Sequence, residues 1–389
     1  MLTKTRLFTP GPTLLPEQIR LAMARDMIHH RTAAFAALMR EVQAGLRLLF
    51  DSEDVVLPLA SSGTGAMAAA ACALFSPGEK VLVVEGGKFG ERWTQICRAH
   101  GLLPVVLPVP WGEAVSPAAV AGALDQDPGI SGVLIQHAET STGVQHPVEA
   151  VAAVTRSRPV LLVVDGVSAV SITPCPMTRW GLDCLLTGSQ KGLMLPPGLA
   201  LIALSPRAWA RAETLPARNF YFNLCAERKY CLGGQSAFTP PVSLIVGLAE
   251  SLRLFGEAGL ATVYRKQWAL TALVRGGVKA LGLDLFVKEH FAWGVTSILL
   301  PEGISSGPLL ARAAERYGVI MAAGQDAFKE RMVRIGHMGW LDYADLLAAL
   351  HALAGSFRFC GGYCGGRNYL EQALDAYWTA LDEGPPLPV

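Results

Sequence analysis

The chain has 389 residues, 51% of them hydrophobic and only 17% charged, with 33 basic against 32 acidic residues. One hydrophobic core stops growing at roughly 250–300 residues, so this length predicts two domains, and the small charged fraction excludes a mainly disordered chain. The even balance excludes wholesale binding of a nucleic-acid backbone, which needs a clustered basic surface.

In chain order, the first twelve residues lack the apolar run of a secretory signal and turn at once into Pro10-Gly11-Pro12. Between residues 55 and 205, short runs rich in Val, Leu and Ile alternate with helical stretches. The runs are 55–60, 81–85, 104–109, 132–136, 160–165, 184–186 and 199–204, each apolar on both faces, as in the buried strands of a mostly parallel sheet. Helices are expected over 65–75, 90–100, 117–124 and 147–155. A spanning helix needs about 20 apolar residues in a row, and the longest comparable stretch, 66–75, is mostly alanine. The expectation is a soluble, cytoplasmic protein without a membrane or nucleic-acid partner. Residues 217–241 read as irregular, and two long helices follow over 242–255 and 260–281. A smaller unit closes the chain, with strands at 295–300, 319–322 and 332–335 and helices at 308–317, 341–356 and 368–382. The division is an N-terminal segment 1–20, a large doubly wound α/β domain 21–280 and a small C-terminal α/β domain 281–389. Eight scattered cysteines make no disulfide framework. The nearest pair, Cys360 and Cys364, lacks a second Cys or His pair at zinc-site spacing, so no metal is expected.

Open α/β sheets bind ligands beyond the carboxyl ends of their strands. Three candidate segments lie there. Ser61-Ser62-Gly63-Thr64-Gly65 joins a strand to a helix, where small residues and a helix N-terminus favour an anion such as phosphate. Glycine also stands at such turns for steric reasons alone. The stretch fits G-x-G-x-x-A from Gly63 to Ala68, with Glu85 at dinucleotide spacing, so a nicotinamide oxidoreductase stays open here. Asp165 ends an apolar strand, and Lys191 follows 26 residues later in a turn; each alone could be an ordinary turn residue. Together the three suit pyridoxal phosphate. Its aldehyde needs a lysine, its pyridine nitrogen a carboxylate, and its phosphate a helix-terminus cradle.

These residues resemble the class-V aminotransferases of the fold-type I pyridoxal-phosphate enzymes, in particular the alanine/serine–glyoxylate and serine–pyruvate group. The matching blocks run in order through almost the whole chain: Phe8-Thr9-Pro10-Gly11-Pro12, His30-Arg31-Thr32, Ser62-Gly63-Thr64, Glu139-Thr140-Ser141-Thr142-Gly143 and Asp165-Gly166-Val167-Ser168, then Gly188-Ser189-Gln190-Lys191-Gly192, Thr239-Pro240-Pro241 and Arg334-Ile335-Gly336-His337-Met338-Gly339. The resemblance implies that Lys191 is the Schiff-base lysine and the proton carrier, and that Asp165 pairs with the pyridinium nitrogen. Val167 and Phe89 would cover the two ring faces, and Thr140 would donate to the ring hydroxyl. Ser62, Gly63, Thr64 and Gln190 would hold the phosphate, with Thr239 reaching it from the second subunit of a homodimer with shared active sites. Arg334 would clamp the substrate α-carboxylate, with Gly11 and Arg31 also lining the substrate site. Structural roles stand beside these: Phe89 as core, Arg334 as an interface ion pair, Thr239 as a turn residue and His30-Arg31 as an interface or hinge contact. Cysteine desulfurases of this fold place a histidine where Phe89 stands. The implied reaction is ping-pong transfer of an amino group from alanine or serine to a 2-oxo acid such as glyoxylate or pyruvate. A phosphoserine or dicarboxylic donor is the alternative.

Overall fold

The apolar runs of the first half become one sheet because strands covered on both faces need no polar alternation. The computed structural model describes residues 4–366 and 368–386, so the outermost three residues at each end of the expected division lie outside the described residues. Seven strands lie in the order Leu57–Leu59, Ala200–Leu204, Cys184–Gly188, Leu161–Asp165, Ile130–Gln136, Lys80–Glu85 and Leu103–Pro108. Ala200–Leu204 is antiparallel to both neighbours and the other pairings are parallel. Five strands therefore end on one edge just before the residues of interest. Leu103–Pro108 differs from expectation in being only half buried, because it is an edge strand, the position where its prolines are tolerated.

The helix Gly63–Leu74 lies against the strands Cys184–Gly188 and Ala200–Leu204, and its run of buried alanines permits that close approach. A second, four-stranded antiparallel sheet has the order Asp284–Leu285, Val295–Leu299, Met332–Gly336 and Ala322–Ala323. The single strand expected over 319–322 is divided. Val319–Ile320 pairs instead, in parallel, with Arg6–Leu7, tying the N-terminal segment to this smaller layer.

Two apolar clusters follow these sheets. The larger runs from Ile19 to Phe255; the other gathers Phe8 with residues from Ala269 to Ala380. The helix Leu260–Ala280 joins them, its start packed on the first and its remainder inside the second. Residues 217–241 are more ordered than their composition suggests. They contain the helix Leu224–Leu232, started by Asn223, whose side chain accepts from the Ala226 N–H at 3.0 Å.

Candidate active site

Lys191 leaves the end of strand Cys184–Gly188 and turns inward, remaining only 9% exposed. Its Nζ donates to the Pro10 carbonyl. Burial lowers the ammonium to about 8, further helped by Arg334 and Arg92 and opposed by Asp165. The free amine, the form that attacks an aldehyde or takes a proton, is therefore far more populated near neutral pH than in an exposed lysine. The N-terminal segment is fixed to this turn: Thr13 N–H donates to the Gln190 carbonyl at 3.1 Å and Thr13 Oγ1 to the Lys191 carbonyl at 3.0 Å. Gly11 has φ +107°, and a Cβ there would lie 2.6 Å from Lys191 Cδ. Glycine at this place leaves the lysine its room.

Asp165 ends its strand 5% exposed. Burial raises its carboxyl to about 6, against the Val167 N–H, Lys191 and Arg92. Val167 N–H donates to Oδ1 at 2.8 Å, and among the described residues no cationic side chain lies within ion-pair distance. A desolvated carboxylate without a protein cation suits a protonated ring nitrogen. Ser62 begins the helix Gly63–Leu74 without using its hydroxyl as a cap. A Cβ on Gly63 would meet Val167 Cγ2 at 2.6 Å, so the Ser61–Gly65 turn and Val167 are in direct contact. Gln190 Oε1 is buried without a partner among the described residues. These features fit pyridoxal phosphate.

Arg334 lies on Met332–Gly336, 8% exposed, and reaches the loop that follows the strand Ile130–Gln136 of the large sheet. Its Nε donates to the Ala323 carbonyl at 2.9 Å and its Nη1 to the Thr140 carbonyl at 2.7 Å. The remaining nitrogen, Nη2, has no protein acceptor among the described residues. Gly336 N–H donates to the Phe8 carbonyl at 2.6 Å, so the N-terminal segment lies between the lysine turn and the arginine strand. Phe89 opens the helix Lys88–Ala99, its N–H donating to Glu139 Oε2 at 3.0 Å.

Two residues of this neighbourhood escape sequence reasoning. Glu139 is buried and accepts on one oxygen from Phe89 and Gly90 N–H, on the other from Ser141 N–H and Oγ. Arg92 donates to Thr64 Oγ1 at 3.1 Å and lies 4.7 Å from the Phe89 ring centre. The available signal was its position three residues after Phe89, on the same helix face. Glu85, which a dinucleotide site would need, instead accepts from Thr94 Oγ1 at 2.6 Å.

Two expected site residues share no hydrogen bond with Lys191, Asp165 or Arg334 among the described residues, although Thr239 borders the same hollow as Ala60, just before the Ser61–Gly65 turn. Arg31 donates to Gln235 Oε1 at 3.2 Å and to the Ser236 carbonyl at 2.8 Å, with its guanidinium over Tyr230. Thr239 is exposed on the same loop. Next to it, Phe238 stacks on Tyr221 at 5.0 Å.

The family model described as aminotransferase class-V matches residues 14–341. The small subunit of a soluble hydrogenase from a Synechococcus strain is 36% identical over 91% of this chain and 93% of its own. The serine–glyoxylate aminotransferase of Methylorubrum extorquens is 35% identical over 89% of each chain. The crystal structure of a subgroup IV aspartate aminotransferase from Thermus thermophilus is 35% identical, with a TM-score of 0.83 over 91% of this chain and 98% of that one. Family and fold agree with the geometry.

Proposed function

Because the chain belongs to the class-V aminotransferases and is a pyridoxal-phosphate-dependent transaminase, we propose that it moves the amino group of alanine or serine to glyoxylate or pyruvate in a ping-pong cycle. Bound pyridoxal phosphate supplies an aldehyde for amine exchange and a protonated ring that withdraws electrons from the substrate Cα. The chain's residues do the rest. Asp165, which pairs with no cation among the described residues, keeps the proton on the ring nitrogen. Phe89 and Val167 cover the ring faces and exclude water. Lys191 Nζ, an amine poised near pH 8, takes the proton from the substrate Cα and would return it to the cofactor's aldehyde-derived carbon, two bonds away across the nitrogen. Arg334 binds the α-carboxylate through Nη2, its nitrogen without a protein acceptor among the described residues, holding Cα near that amine. Gly11 borders the same space.

The observation that carries the donor's size is the placement of Arg31. A phosphate or second carboxylate on the donor needs a further cation, and Arg31 is an exposed side chain whose hydrogen bonds, among the described residues, all go to the loop of Gln235, Ser236 and Ala237, none of them to the neighbourhood of Lys191. The glyoxylate acceptor is supported by the name of the Methylorubrum relative, and the Thermus relative's name favours a dicarboxylic donor as the second reading. The Synechococcus relative's name describes another activity, for which no residue around Lys191 argues. We assign a homodimer on the exposed aromatic pair Phe220 and Tyr221, which cluster on Phe238 next to Thr239. Thr239 would then face the partner's phosphate site.

A half-reaction screen tests the donor. Single amino acids are added to the holoenzyme and the bound-pyridoxal absorbance is followed. Alanine and serine should convert it to the pyridoxamine form fastest. Conversion by aspartate, glutamate or phosphoserine alone would replace this reading with the second.

A further inference from the structure

The residues assigned to the phosphate are all neutral: Ser62, Gly63, Thr64, Gln190 and, from a partner, Thr239. A phosphate monoester carries about 1.5–2 negative charges at pH 7, and a helix N-terminus offers only about half a positive charge. The cradle is thus short of positive charge. Arg92 stands beside it. Its Nη1 donates to Thr64 Oγ1 at 3.1 Å, at the start of the helix whose N-terminus forms the cradle. Because Thr64 Oγ1 accepts that bond, its own proton is available to the turn. The guanidinium lies over Phe89 at 4.7 Å from the ring centre. Its charge also reaches inward, acting on both Asp165 and Lys191. Arg207, Arg211, Arg228 and Arg253 each meet a carboxylate, but among the described residues none lies within ion-pair distance of Arg92. An arginine with a carboxylate-free face beside a neutral phosphate turn is a cation in want of an anion.

We infer that Arg92 is the positioning residue for the cofactor's phosphate end: it supplies the charge the cradle lacks and orients the Thr64 hydroxyl toward the phosphate. The inference rests on the pyridoxal-phosphate assignment but not on any choice of amino donor.

The test compares affinities of the full-length cofactor-free chain for pyridoxal phosphate and for pyridoxal, which shares the ring but lacks the phosphate. Arg92→Gln should weaken pyridoxal phosphate binding about 10- to 100-fold, the range of one charge-assisted contact, and leave pyridoxal within about 3-fold. Inorganic phosphate should compete with pyridoxal phosphate for the wild type and lose that competition in the variant. Arg92→Lys keeps the charge on a flexible stem and should retain the preference for the phosphorylated ligand within about tenfold of wild type. Equal loss of both ligands in Arg92→Gln would show that Arg92 acts through Phe89 or the fold, and would overturn the inference. So would unchanged affinity for both, or loss of the preference in a folded Arg92→Lys. A failure of the transamination assignment would appear in amino-group transfer and leave this ligand comparison standing.

Discussion

At the scale of single residues, the site is built from two groups, Lys191 and Asp165, whose proton affinities burial moves toward neutrality from opposite sides. Removal of Lys191 should therefore be the most severe change. Lys191→Ala is expected to lower transamination by about 10²–10⁴-fold or more, and borohydride should no longer attach the cofactor to the chain. Asp165 gives a prediction of opposite sign for stability. Burial raises its carboxyl from 3.8 to about 6. Such an acid contributes stability that is complete below the unfolded value and lost as pH rises through the folded one. The cofactor-free protein should thus weaken between about pH 4 and pH 6 on this account. Asp165→Asn should remove that slope and raise cofactor-free stability at pH 7.5 by on the order of 1–3 kcal/mol, while transamination falls at least about 100-fold. Urea unfolding across pH, paired with turnover, checks both halves; an unchanged pH slope in the variant would show that the carboxyl is not held up by burial. Arg334→Ala should raise KM for the amino donor about 10- to 100-fold. Wild-type kinetics would remove Arg334 from the carboxylate role.

At the scale of elements, what holds the site is a set of backbone contacts between segments distant in sequence. Glu139 fastens the start of the helix Lys88–Ala99 to the loop that follows Ile130–Gln136, through two backbone donors of the helix and two donors of Ser141. Glu139→Gln puts an NH2 against one of those donor pairs. It should lower stability by roughly 1–3 kcal/mol and loosen cofactor binding, since Phe89 shifts with its helix. A melting curve and a pyridoxal phosphate titration measure both. The sequence made the strands, the phosphate turn and the lysine turn legible, because buried parallel strands are continuous apolar runs and site residues follow their ends. It did not reveal Glu139 as a fastener, because its four donors come from two segments some fifty positions apart. The helix Leu224–Leu232 was hidden for another reason. Its residues mix Glu, Arg and Lys with Leu, Cys, Ala and Tyr without a clean apolar stripe, and only Asn223 marks its start. Nor could residues 319–323 be read as two pieces, since their division depends on where Arg6–Leu7 docks.

At the scale of the whole molecule, the N-terminal segment joins everything. Phe8 enters the core of the smaller layer, the Pro10 carbonyl meets Lys191, and Thr13 anchors to the lysine turn. The proposed dimer adds a second bridge. Arg31 and Glu227 brace the loop that carries Thr239, Glu227 accepting the Ala237 N–H at 3.0 Å. A heterodimer of one Lys191→Ala and one Thr239→Ala subunit separates the possibilities. If Thr239 serves the partner, the site that keeps Lys191 also receives an intact threonine, and one site per dimer should bind cofactor with wild-type affinity. Weak binding at that site would mean that Thr239 acts within its own chain. The account's central claim is amino-group transfer at Lys191, and isotope transfer tests it most directly. Holoenzyme incubated with [15N]alanine or [15N]serine and glyoxylate should yield [15N]glycine, and the Lys191→Ala variant should yield none. Label recovered as ammonia, or no labelled glycine from either donor, would contradict the account.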